Sequence, residues 1–134
     1  MNYWLVKTEP ETYSWNNLVK DRNGVWDGVR NFQARSNMKA MKKGDQVFVY
    51  HTGDEKAVVG IAHVTKEGYP DANDEAWVAV DLVADKKLKK TVSLSQIKAD
   101  KKLANMVLVR ASRLSVQPVR QEEFDYIVAL SNKG

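Results

Sequence analysis

The feature that most constrains this chain is a change of hydrophobic period at Asp45. Before it, "VRNFQARSNMKAMKKGD" places Val29, Ala34, Met38 and Met41 near helical spacing, which predicts a helix over about 31–41. After it, "DQVFVYHT" alternates and is β-branched and aromatic, which predicts a strand at about 46–51. "TGDEK" reads as a turn, and "AVVGIAHVTKEG" as the second arm of a hairpin. Gly60 inside that arm suggests a bulge or a close backbone approach. "YPDANDE" reads as a polar loop and "AWVAVDLVADKKL" as a third strand of the meander.

The flanking segments fill out the pattern. "NYWLVK" is expected as a first strand at 2–7, ended where Pro10 cannot donate to a ladder. "TYSWNNLVKD" reads as a short helix capped by Ser14 or Thr12, with Trp15, Leu18 and Val19 buried and Gly24 available for a left-handed turn after it. "SLSQIKADKKLANM" reads as one or two helical turns capped by Ser93, and "VLVRASRLSVQPV" as a last strand or two. Arg120 to Leu130 reads as a closing helix with Phe124, Ile127 and Val128 buried and Glu122 and Glu123 near its positive end. Consecutive strands with short helices after the first strand and at the end make an α+β chain. About five or six strands suit a small, mostly antiparallel β-barrel with short flanking helices.

A chain of 134 residues is most simply one domain. No apolar run reaches a membrane span, and "MNYWLVKTEP" has no basic region followed by an apolar core, so the cytoplasm is the default expectation. There is no cysteine, which excludes disulfides, thiolate catalysis and cysteine zinc sites. A net charge of +4 allows a polyanionic partner without requiring one.

Catalytic signals are thin. His51 and His63 are accompanied by no nucleophile elbow, and "HTGDE" is more simply a turn than a metal site. There is no Gly-rich phosphate loop, and Glu9, Asp27 and Asp45 read as cap or turn residues. The reading is a protein without catalytic residues, metal or cofactor.

Binding chemistry is better represented. Base recognition combines aromatic stacking, edge hydrogen bonds and cations for phosphates. "WDGVRNFQAR" supplies Trp26, Arg30, Asn31, Gln33 and Arg35 at close quarters, with Gly28 letting backbone approach a ligand and Asn31 able to cap the next helix. In the alternative, Trp26 plugs the barrel end and Arg30 pairs with Asp27. "VKTEP" puts Lys7, Thr8 and Glu9 at a barrel rim, as ligands or as a turn with a surface salt bridge. Arg113, Ser115 and Gln117 alternate and so share one strand face, and Tyr50 and His51 straddle a strand end where one should point inward.

"NYWLVKTEP", "WDGVRNFQARSNMKAMKKGDQVFVYHT", "VVGIAHV", "YPD" and "RLSVQPV", in that order, resemble the EVE domain, a PUA-like small barrel. The resemblance covers nearly the whole chain and implies one EVE domain over 1–134. EVE domains resemble YTH domains, which hold a methylated adenine in an aromatic cage. The resemblance implies binding of a modified base, such as a modified cytosine or methylated adenine, in DNA or RNA. It sets "GVW" at 24–26 where the YTH domain has a cage tryptophan, and Lys7-Thr8 where it has a Lys-Ser pair. Trp26, Lys7, Thr8 and the backbone of Val29, Arg30 and Asn31 are then the implied pocket lining, with Tyr50 and Thr52 beside it. The other cage tryptophans of the YTH domain have no aligned counterpart, and Trp77 reads as a strand residue. The expected partner is nucleic acid, with no membrane and a monomer favoured. The alternatives are a generic RNA-binding module, an enzyme acting on a nucleobase or small metabolite, and a protein adaptor. Trp26→Ala is expected to remove specific base binding and leave the fold intact.

Overall fold

A computed structural model describes residues 1–133. Six strands form one sheet: β1 (Tyr3–Thr8), β2 (Asn23–Trp26), β3 (Gln46–His51), β4 (Ala57–Asp71), β5 (Asp74–Ser93) and β6 (Val116–Val119), in the order β2-β5-β4-β3-β1-β6. The β1–β3 pair is parallel and the other pairs are antiparallel, so the α+β class and the mostly antiparallel sheet stand.

The expected closed barrel does not form: β2 and β6 are edges that do not pair with each other. Helix α2 (Phe32–Ala40) instead bridges β5 and the edge strand β6. Asn37 Nδ2 donates to the Val116 carbonyl at 2.8 Å, and Arg35 Nη1 donates to the Ala76 carbonyl at 2.9 Å. A helix side chain thus supplies what strand pairing would supply in a barrel.

Period-two patterning divides the core. Trp4, Val6, Val47 and Val49 point to one side, where Met38 of α2 and Leu18 of α1 (Trp15–Asp21) join them. Leu5, Phe48 and Tyr50 point to the other, beneath α3 (Leu94–Ala99), α4 (Val107–Arg110) and α5 (Gln121–Asn132). Both faces are covered, which is why β1 and β3 carry so few polar residues. Phe124 of α5 stacks on Phe48 with ring centroids 4.2 Å apart.

Local chemistry explains most boundaries. Ser14, Asn31 and Ser93 each cap a helix by accepting a backbone N–H, from Asn17, Ala34 and Gln96 respectively. A Cβ on Gly60 would sit 2.5 Å from the Trp15 ring, so this position needs glycine for close approach, and the register shifts there too. Repeated register shifts along β4 and β5 let these long strands bend.

Several expectations are corrected. "YPDANDE" is not a loop: β4 runs to Asp71 and β5 begins at Asp74, leaving a tight turn at 72–73. Pro70 is accommodated beside one of the irregularities in the ladder. Residues 23–26, assigned to no element from the sequence, form an edge strand on β5. The left-handed residue after α1 is Arg22 (φ 65°), whereas Gly24 is needed because Leu18 and the Tyr13 hydroxyl pack against its backbone. "VLVR" is helical, and only Val116–Val119 forms a strand. Val19 is exposed, leaving Trp15 and Leu18 as the buried face of α1. Among the described residues no helix is long and apolar enough to cross a membrane.

Candidate functional site

Several of the sequence-predicted ligand residues converge on a cleft of about 500 Å³. It lies where the end of β1, the end of β2 and the chain entering β6 meet. That volume is within the range of small-ligand sites, about 300–1,000 Å³. Lys7, Thr8 and Glu9 line it from β1, Trp26 from β2, Val29 and Arg30 from the following loop, and Ser115 from the approach to β6. Seven of the sequence-predicted ligand residues therefore converge, from segments more than a hundred residues apart. Thr12, Tyr13, Val25, Asp27 and Gly28 complete the lining.

Each wall has an identifiable support. The Lys7 backbone N–H donates to the Ser115 carbonyl at 2.9 Å, carrying the β1–β6 pairing past the strand end. Lys7 Nζ donates to the Ser112 carbonyl at 2.6 Å, and burial pushes its pKa down. Thr8 Oγ1 donates to the Tyr13 carbonyl at 2.6 Å and holds the turn after β1. The Tyr13 ring then stands edge-on to Trp26, with centroids 5.9 Å apart at 82°. Burial, then the hydrogen bond to Asp21, pushes the Tyr13 hydroxyl up to about 12, so it remains protonated at neutral pH.

The loop between Trp26 and α2 is organised by a residue that sequence reasoning missed. Asp71, at the end of β4, has a fully buried carboxylate. It accepts from the Gly28 N–H at 2.9 Å, the Asn73 N–H at 2.8 Å and Arg30 Nη1 at 3.1 Å. Those backbone amides, led by Gly28, hold its pKa down at about 2, with the Arg30 guanidinium contributing further and burial opposing. Arg30 therefore pairs with Asp71 rather than with Asp27. Gly28 adopts φ 76°, which favours glycine on conformational grounds alone. "YPD" carries no local sign of this role, because its partners lie some forty residues upstream.

The remaining predicted residues are elsewhere. Asn31, Gln33 and Arg113 line a separate shallow groove of about 350 Å³ with Ser112 and Leu114. Tyr50 and Thr52 line a smaller cavity of about 190 Å³ that shares Lys7 with the cleft. Tyr50 is buried in the second core, and Thr52 Oγ1 donates to Glu9 Oε2 at 3.0 Å. His51 is buried beside Trp15, whose backbone N–H donates to Nε2 at 3.0 Å. The proton is then on Nδ1, 2.7 Å from Glu55. Gln117 is fully buried and donates to the Leu114 carbonyl, so it does not share a ligand-facing surface with Ser115. The expected strand face 113–117 fails because residues 113–115 precede β6.

Trp26 combines two roles that the sequence reading set against each other. It lines the cleft, yet it is only 7% exposed and packs in the first core. Removing its side chain would cost about 3–5 kcal/mol as a cavity, so Trp26→Ala is not neutral for folding.

The family model for the EVE domain matches residues 2–130. The chain belongs to the EVE domain family. Human thymocyte nuclear protein 1 is 32% identical over 98% of this chain and 75% of its own length. A crystal structure from Agrobacterium tumefaciens superposes with a TM-score of 0.95 at 42% identity, covering 98% of this chain and 94% of that one. A structure of human THYN1 in complex with 5-methylcytosine-containing DNA superposes with a TM-score of 0.93 at 32% identity, covering 100% of this EVE chain and 99% of the human one.

Proposed function

We propose that this protein, read as one EVE domain over 1–134, binds nucleic acid and takes a modified base, a modified cytosine foremost, into the cleft between β1, β2 and the approach to β6. The observation that carries the reading is the human relative bound to 5-methylcytosine-containing DNA, similar to this chain over its whole length. The cleft supports it. Trp26, Val25 and Val29 offer apolar surface, Thr8, Glu9, Asp27 and Ser115 offer polar groups for a base edge, and Lys7 and Arg30 offer positive charge for the backbone. Extruding a base costs a few kcal/mol, least from a single strand, and contact with Trp26 and the edge groups offsets it.

The cleft is read as a binding site without catalysis. Both histidines lie outside it in other pairings, His51 with Trp15 and Glu55, and His63 with Asp85. The Thr8 hydroxyl proton is donated to the Tyr13 carbonyl, which leaves its oxygen free only to accept.

The test is a titration at fixed salt with short single-stranded and duplex DNA and RNA. Each carries cytosine, 5-methylcytosine, hydroxymethylcytosine, adenine or methyladenine at one position. The expected result is a preference for a modified cytosine, lost in Trp26→Phe, which retains an aromatic filling but changes the wall. Binding indifferent to the modification would demote the site to a general nucleic-acid surface, and no binding to any probe would end the reading.

A further inference from the structure

Beside the cleft lies an aromatic and cationic cluster whose Phe32, Trp77 and Arg35 do not line it. Phe32, the first residue of α2, is 68% exposed. Its ring stacks on Trp77 of β5 with centroids 5.2 Å apart and planes 27° apart. The Arg35 guanidinium lies 4.9 Å from the Phe32 centroid and 5.2 Å from that of Trp77, and Arg30 lies 5.5 Å from Trp77. Single exposed apolar side chains are ordinary on protein surfaces. This one differs in being held flat. Stacking on Trp77 and the Arg35 guanidinium, itself anchored to the Ala76 carbonyl, hold the ring in place while most of the side chain stays exposed.

Arg30 belongs to both places: it lines the cleft and reaches over Trp77. The cluster therefore adjoins the cleft through a shared side chain. Two guanidiniums beside an exposed ring match a nucleotide, which presents a π-face and a phosphate together.

We propose that the Phe32–Trp77 stack is a platform for the unpaired nucleotide flanking the base held in the cleft, whose phosphate Arg30 and Arg35 meet. The proposal rests on the nucleic-acid reading above and adds a second nucleotide position to it. It makes affinity depend on the neighbour of the recognised base through stacking, with little preference for that neighbour's identity.

The experiment compares two single-stranded DNA probes with one central 5-methylcytosine, one intact and one with abasic positions on both sides. Wild-type protein and Phe32→Ala are titrated with each. The wild type should lose roughly 5- to 150-fold on the abasic-flanked probe, the range for one stacked base. Phe32→Ala should lose a similar factor on the intact probe and show no further loss on the abasic one. Equal binding of the intact probe by both proteins, or the same abasic penalty in both, overturns the platform. If the wild type still prefers 5-methylcytosine over cytosine in that case, the cleft reading survives alone. If the wild type binds neither probe, both fall.

Discussion

Two buried aspartates, Asp45 and Asp71, are built alike and serve different ends. Each carboxylate gathers two backbone amides and one side-chain donor. Asp45 accepts from the Asn2 and Lys42 N–H groups and from Trp4 Nε1 at 3.0 Å, tying the chain start to the turn before β3. Asp71 accepts from Gly28, Asn73 and Arg30 and fixes the loop that forms one wall of the cleft. The difference lies in the side-chain donor. The Trp4 indole is buried and cannot find water if its acceptor is lost, whereas the Arg30 side chain is 39% exposed and can. A similar local device thus supports the core in one place and the site in the other.

The comparison predicts a graded series. Asp45→Ala should have the largest effect on stability, about 3–4 kcal/mol, because it leaves a buried indole N–H and two amides unsatisfied. Denaturant unfolding would show it, with ligand affinity of the folded fraction unchanged. Asp71→Ala should cost less, about 2–3 kcal/mol, since the guanidinium rehydrates. It should weaken probe binding far more than Asp45→Ala does, and a reversed order in the binding assay would break the comparison. Acid unfolding should also separate them. The Asp71 pKa is depressed in the fold, so its stabilisation is present above the ordinary carboxylate value and is lost as pH falls towards about 2. Asp71→Asn should therefore flatten the stability profile between about pH 4 and 2 relative to wild type. Phe32→Ala should have the smallest effect on stability, within about 0.5 kcal/mol, as expected for an exposed position. A large drop in Tm would show that the ring works for the fold and not for a ligand.

The two tryptophans near the site carry a related lesson. Trp26 and Trp77 lie on the adjacent strands β2 and β5, and composition does not separate them. Trp26 is buried against Tyr13, whereas Trp77 is partly covered by Phe32 and two arginines. Reading Trp77 as a strand residue was right about its element and silent about its outward-facing partners. Those partners come from α2 and the loop before it, and no local pattern announces them.

What the sequence by itself determined is what depends on neighbours along the chain. An apolar, β-rich run set β1, alternation set β3, the hairpin reading set the first part of β4, and helical spacing with Asn31 as cap set α2. The ordered motifs identified the family, and "VKTEP" and "GVWDGVRN" between them held six of the seven predicted residues that line the cleft, Ser115 being the seventh. What only the tertiary structure decided is what depends on residues far apart in sequence. The sheet is open, α2 bonds to both β5 and β6, and bulges carry β4 and β5 through a segment that reads as a loop. Asp71 becomes a site residue through Gly28 and Arg30, while Gln117 leaves the ligand surface because β6 starts late. The physical reason is common to these cases. Propensity and capping act within a few residues, whereas a buried carboxylate, a strap or a cleft wall requires atoms that come together only when the chain has folded.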